Sequence, residues 1–314
     1  MAKRSFAAHV KEELCSNTYE SLSKKKAILS AFIRINGIVT FRNKRTYLTL
    51  TTENAKIVKF IYSLILDIFP SNVSLSYQKK GNTKTTYNIN VSSNVEEILD
   101  FIEVNFLEGK ISKNIVYDDE TISGYLLGAF LASGSINSPE TSNYHLEISV
   151  NSENYAKWLS HLFPRYKNNK IEPKIIKRRS RYVIYFKKGD QIADFLVMIG
   201  AMSSAMDFEN YRIDRDYMNN SNRLMNLDTA NMSKTYEAGK RQANEIKYLE
   251  KHIGLENIGN KKVQVVASIR KEYISRSLDE IARMASEELN EEITKSNVNH
   301  IFRYIHNLYI KEKK

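Results

Sequence analysis

The chain has 314 residues, 42% of them apolar, enough for two domains with cores of their own and a third small one. Lysine and arginine number 47 against 36 acids, a net charge of +11, which points to a polyanionic partner: nucleic acid or an anionic membrane surface. No run of eighteen apolar residues exists to span a membrane, and the single cysteine, Cys15, excludes an internal disulfide and a cysteine-based zinc site.

The chain opens "MAKRSFAAHVKEELC". Lys3 and Arg4 are followed by neither a long apolar stretch nor a small-residue cleavage site, so the expectation is a cytoplasmic protein without a secretory leader. From residue 24 the sequence repeats itself. "KKKAILSAFIRINGIVTF" lies over "TISGYLLGAFLASGSINS", with Gly37 on Gly134, Ala31 on Gly128 and Ala27 on Gly124. Glu53-Asn54 then falls on Glu153-Asn154, the extra residues of the second copy lying in "SPETSN", and Asp100-Phe101 meets Asp194-Phe195. Three matches in one order indicate an internal duplication.

Each copy reads as helix, two strands, helix, two strands, helix. Alternation marks strands at Leu48 and Leu50 and at Leu146, Ile148 and Val150. Amphipathic helices are expected over 55–69 and 154–162. Further strands are expected over 73–77, 85–91, 174–178 and 181–187. Gly124, Gly128 and Ala132 recur at i, i+4, i+8 and line one stripe of the second copy's first helix; Ala27 and Ala31 form a matching stripe in the first. Glycine in a helix interior costs about 1 kcal/mol against alanine. A close helix–helix contact offsets that cost through packing, so the two helices are expected to form the seam between the halves.

A twofold αββαββα repeat with paired small-residue helices resembles the LAGLIDADG homing-endonuclease fold. The resemblance implies a saddle over double-stranded DNA. It also implies a catalytic, metal-binding acid just before the last glycine of each seam helix. Here those positions are Asn36 and Ser133, with no acid flanking either. Hard divalent cations require carboxylate oxygens, so the expectation is a scaffold without nuclease activity, cofactor or metal. Between residues 165 and 188 stand ten basic residues and one acid, Glu172. Lys177, Arg178, Arg179 and Arg181 flank a turn-like "RRS" and form a basic hairpin suited either to tracking phosphates or to simple solvation.

Residues 210–252 are polar and nearly charge-balanced, with a thin apolar stripe of Met225, Met232, Tyr236 and Ala243; they read as a connector and a long helix. Within them "NRLMNLDTAN" offers side chains that shape turns or contact DNA. Ser277 and Glu280 then form a capping box, and Leu278, Ile281, Ala282, Ala285 and Leu289 follow at helical spacing. "NEEI" breaks the period, Thr294 offers a second N-cap, and Val298, Ile301, Ile305 and Leu308 mark the buried face of the next helix. A helix over 262–273, through Val263, Val266 and Ile269, completes a three-helix domain with a helix-turn-helix. Its second helix would present Thr294, Lys295, Ser296, Asn297, Asn299, His300 and Arg303 to a major groove. Arginine and lysine suit guanine, asparagine suits adenine, and Thr294 and Ser296 suit phosphate; His300 reads equally as a surface histidine.

The fold class is therefore α+β: a duplicated LAGLIDADG-like domain over 1–208 with repeats at 22–108 and 120–205, a connector and long helix over 209–252, and an all-α helix-turn-helix domain over 253–314. "SFAAHVKEELC", "NRLMNLDTANMSK" and "TKSNVNH" in this arrangement resemble the WhiA family of bacterial transcriptional regulators across nearly the whole chain. That resemblance implies sequence-specific binding to double-stranded DNA and control of sporulation, cell division or chromosome organisation. It places the protein at the nucleoid. Another transcription factor or RNA polymerase would be a further partner. The duplication supplies a pseudo-dimer, so the expected state is a monomer. Two other readings make different demands. An active endonuclease needs metal-binding carboxylates, and a nonspecific nucleoid protein binds any duplex alike.

Overall fold

A computed structural model describes residues 5–69, 73–80, 84–106, 112–141, 143–168 and 170–313. Lys3 and Arg4, residues 107–108 of the first expected repeat and Ser142 lie outside them. The chain divides into two units, Met1–Arg215 and Asp216–Lys314.

In the first unit α1 (Phe6–Ser16) precedes the duplication. The first copy runs α2 (Leu22–Asn36), β1 (Gly37–Arg42), β2 (Arg45–Thr52), α3 (Ala55–Ile68), β3 (Val73–Lys80), β4 (Lys84–Val91) and α4 (Val95–Phe101). The second runs α5 (Asp119–Ser133), β5 (Gly134–Ile136), β6 (Leu146–Val150), α6 (Glu153–Ser160), α7 (Leu162–Arg165), β7 (Lys174–Arg178), β8 (Arg181–Phe186) and α8 (Gly189–Ile199). Each copy forms one antiparallel sheet, ordered β1-β2-β4-β3 and β5-β6-β8-β7. The repeated order of elements is as expected. The expected helix over 154–162 ends at Ser160, and α7 follows after His161. The aligned Asn54 and Asn154 play different parts. Asn54 caps α3, accepting from the N–H groups of Lys56 and Ile57, whereas Ser152 caps α6 and Asn154 lies inside it.

Sheet alternation buries one face of each copy: Leu48, Leu50, Ile89 and Val91 in the first, Leu146, Ile148, Ile184 and Phe186 in the second. The two seam helices lie against each other, and α5 is buried from Thr121 to Leu131. A Cβ built on Gly124 would stand 2.9 Å from the Lys24 carbonyl oxygen and 3.4 Å from the Ala27 Cβ; one on Gly128 would meet the backbone of Ile28. Ala27 and Ala31 are fully buried, and Ala132 is half-buried. The two glycines are thus required by backbone approach.

α9 (Met202–Ile253) begins in the first unit, where the Glu13 carboxylate of α1 accepts from the backbone N–H groups of Ser203 and Ser204 at 2.7 and 2.9 Å. That is a helix cap supplied from a distant segment. The expected connector is part of this one 52-residue helix. Its expected apolar stripe does not bury: Met225 and Met232 are 64% and 73% exposed and Tyr236 is exposed, while Ala243 is buried. The second unit packs the C-terminal turns of α9 with α10 (Lys261–Glu272), α11 (Leu278–Leu289) and α12 (Lys295–Glu312). Its core therefore has four helices instead of three, because Ile246 and Leu249 of α9 join Val266, Ile269, Ile281, Ala285, Val298 and Ile305. Phe302 is buried with them.

Candidate nucleic-acid interface

The second unit builds a rigid mount for the start of α12. Ser277 and Glu280 close a capping box on α11, and Thr294 and Asn297 close one on α12. Asn290 takes the left-handed conformation that ends α11, at φ 52°. Across the turn, Ser286 Oγ accepts from the Ile293 N–H at 2.8 Å and donates to the Ala282 carbonyl at 2.8 Å, while Ile293 is buried.

All seven expected recognition residues are exposed. They fall into two groups. Thr294 and Asn297 hold each other in the cap, and Lys295 Nζ pairs with Asp279 at 2.6 Å. Ser296, Asn299, His300 and Arg303 stand at i, i+3, i+4, i+7, one continuous stripe turned away from Val298, Phe302 and Ile305. No hydrogen bond or ion pair engages the side chains of these four among the described residues. Asn307 extends the stripe by one turn and is exposed; sequence reading missed it, although its i+11 spacing from Ser296 was available.

Behind the stripe, the buried Arg270 stacks its guanidinium on Phe302, 5.2 Å from the ring centre. It donates to the carbonyls of Tyr273, Ile274 and Arg276 at 3.3, 3.2 and 2.7 Å, which fixes the turn between α10 and α11. Burial pulls its pKa below the ordinary arginine value. Gly239 of α9 lies directly against the Ile274 carbonyl, where no Cβ fits. The buried Glu245 of α9 meets His306 of α12 at 2.8 Å.

The basic hairpin of the first unit is arranged differently. Arg179 forms its turn at φ 55°, and Lys177, Arg178, Arg179 and Arg181 are all exposed. Arg178 pairs with Arg181 across the strands and Lys177 with Tyr182, so alternation puts Arg178 and Arg181 on one side and Lys177 on the other. The four cations do not share one surface. Arg178 Nη1 holds Glu147 at 3.1 Å, Arg181 Nη2 donates to the Ser149 carbonyl at 3.2 Å, and Lys177 Nζ lies 5.8 Å from the Tyr182 ring centre.

At the C-terminal ends of the seam, Asn36 Nδ2 donates to the Ala132 carbonyl at 3.1 Å, and Ser133 Oγ is buried without a hydrogen-bond partner. Lys11 of α1 reaches the neighbouring Leu131 carbonyl at 3.3 Å. An amide, a hydroxyl and a cation do not suit a divalent metal ion. Among the described residues no group of three or more histidine, cysteine, aspartate or glutamate side chains is placed to hold one. Burial pushes the Cys15 thiol up to about 12, which keeps it protonated and unreactive.

Three family models match successive parts of the chain: the WhiA N-terminal LAGLIDADG-like domain at residues 22–104, the WhiA LAGLIDADG-like domain at 122–218 and the WhiA C-terminal HTH domain at 221–309. The probable cell division protein WhiA of Clostridium tetani is 39% identical over 96% of this chain and 96% of its own. Its counterpart in Staphylococcus aureus is 38% identical, covering 97% and 96%. The crystal structure of full-length DUF199/WhiA from Thermatoga maritima is similar in fold, with a TM-score of 0.61 at 23% identity over 98% of this chain and 99% of that one.

Proposed function

Because the chain belongs to the WhiA family, we propose that it is a sequence-specific regulator of transcription that reads double-stranded DNA through α12 and cuts none. The observation that carries this reading is the stripe of Ser296, Asn299, His300 and Arg303. These four are exposed, and their side chains hold no intramolecular polar partner among the described residues. A helix presented this way fits a major groove, with Arg303 suited to guanine and Asn299 to adenine. The neutral Asn36 and the buried hydroxyl of Ser133 support a scaffold without metal-dependent hydrolysis. The names of its relatives direct the regulatory role to cell division; chromosome organisation and sporulation belong to the same reading. The protein acts in the cytoplasm, on the chromosome, as a monomer, with another transcription factor or RNA polymerase as a further partner.

The test is capture of fragmented genomic DNA by the purified full chain in the presence of Mg²⁺, followed by sequencing. Enrichment of a few intact sites is expected. Cut fragments would identify a nuclease, and even coverage would reduce the protein to a nonspecific binder.

A further inference from the structure

The first unit contains a cavity of about 780 Å³ at the joined ends of α2 and α5. Lys11, Asn36, Thr51, Thr52, Thr86 and Arg181 line it, with Glu53 the acid among the lining residues. Lys11 is the group that lacks a match. Its ammonium has three donors. One reaches the Leu131 carbonyl at a long 3.3 Å, and Nζ lies 5.5 Å from the centre of the Phe130 ring. It makes no ion pair with any described carboxylate. Lys11 is half-buried, and a partly desolvated cation without a counter-charge is disfavoured. Here burial pushes the amine down to about 8, so at neutral pH the chain still carries a largely protonated ammonium in this cavity.

Arg181 adds a second cation. One Nη2 donor holds the Ser149 carbonyl, and the rest of the guanidinium has no partner among the described residues. Two cations against the one lining carboxylate, Glu53, do not suit a metal ion, and an apolar ligand would answer neither set of unused donors. A tetrahedral oxyanion answers both, because a guanidinium grips two of its oxygens and an ammonium a third. The hydroxyls of Thr52 and Thr86 add donors that rotate to suit it.

We propose that this cavity is a seat for a phosphoryl group, held by Lys11 and Arg181. The phosphoryl belongs either to the backbone of a bound duplex or to a free phosphorylated molecule. The seat stands apart from α12 and does not depend on how α12 is read.

The test uses the full chain, inorganic phosphate and chloride at matched ionic strength. Trp158, the single tryptophan, lies in α6 and reports unfolding of the first unit. Millimolar phosphate raises the unfolding temperature of the wild type, and equally that of Lys59→Met, which alters an exposed lysine outside the cavity. Lys11→Met replaces a half-buried cation that has no ion-pair partner, so it is expected to fold, and it binds phosphate about tenfold more weakly. Arg181→Gln weakens binding as well. No response in the wild type, or the same response in Lys11→Met, overturns the proposal. Duplex binding against salt then separates the sources. A flatter salt dependence in Lys11→Met assigns the seat to the DNA backbone. An unchanged dependence beside a lost phosphate response assigns it to a free phosphorylated molecule.

Discussion

The basic hairpin of the first unit and α12 of the second present similar side chains and differ in what those side chains already hold. Arg178 is held by Glu147 and Arg181 by the Ser149 carbonyl, and alternation sends Lys177 to the opposite side. On α12 the cap and Asp279 engage Thr294, Asn297 and Lys295, while Ser296, Asn299, His300 and Arg303 remain unengaged on one stripe. A base edge or phosphate meets no competitor at the stripe, whereas at Arg178 of the hairpin it must displace Glu147. Local density of positive charge thus overstates what a surface can offer a polyanion, because the donors the fold has already used are no longer on offer.

The largest effect expected from this contrast comes from removing the mount of the stripe. Arg270→Met strands three carbonyls of the α10–α11 turn and costs about 3 kcal/mol. Thermal unfolding followed by circular dichroism should show the second unit melting earlier and DNA preference lost with it. An unmoved transition would mean that the guanidinium does not hold the turn. Next, Arg303→Ala and Asn299→Ala should each lose about 1–3 kcal/mol of discrimination between a captured site and a scrambled duplex. Competition anisotropy measures it, and unaltered preference in both variants refutes the assignment of the stripe.

A smaller change would erase the contrast from the other side. Glu147→Gln releases Arg178, so affinity for any duplex should rise a few fold and the salt slope steepen by about one. If affinity stays level, the pairing does not limit the hairpin. The least effect concerns acid. The Ser277 backbone N–H, with Arg276, holds the half-buried Glu280 carboxyl down at about 2, against a usual 4.5. A depressed carboxylate stabilises the fold above the higher value, and that stabilisation fades as pH falls from 4.5 towards 2. Glu280→Gln should flatten this limb of an acid titration of the second unit's helicity.

The duplication, the seam, the capping box of α11 and the Thr294 cap of α12 were legible because each is written locally, in periodicity and in residues three or four apart. Gly124 and Gly128 needed a close partner backbone, and the repeat named it. The hairpin's pairing was not legible, because Glu147 and Arg178 meet through a sheet register that joins distant strands. The helix of Phe6–Ser16 carries no repeat, and its Lys11 becomes notable only through the cavity it enters. Met225 and Met232 misled for the opposite reason. Helical spacing marks a stripe but not whether anything covers it. Ile246 and Leu249 lie inside the expected long helix, but its polar composition did not mark them as core; they are buried because α10, α11 and α12 fold onto the last turns of α9.

The seam also sets an order on synthesis. Gly124 rests on Lys24 and Gly128 on Ile28, partners about a hundred residues apart in the chain. While the first copy leaves the ribosome, α2 can lie against α3 and the sheet of its own copy, but the side of it that meets Gly124 and Gly128, at Lys24, Ala27 and Ile28, has no partner until α5 has been translated. The first copy is therefore a nascent half of a core, exposed to chaperones for the whole time the second takes to emerge.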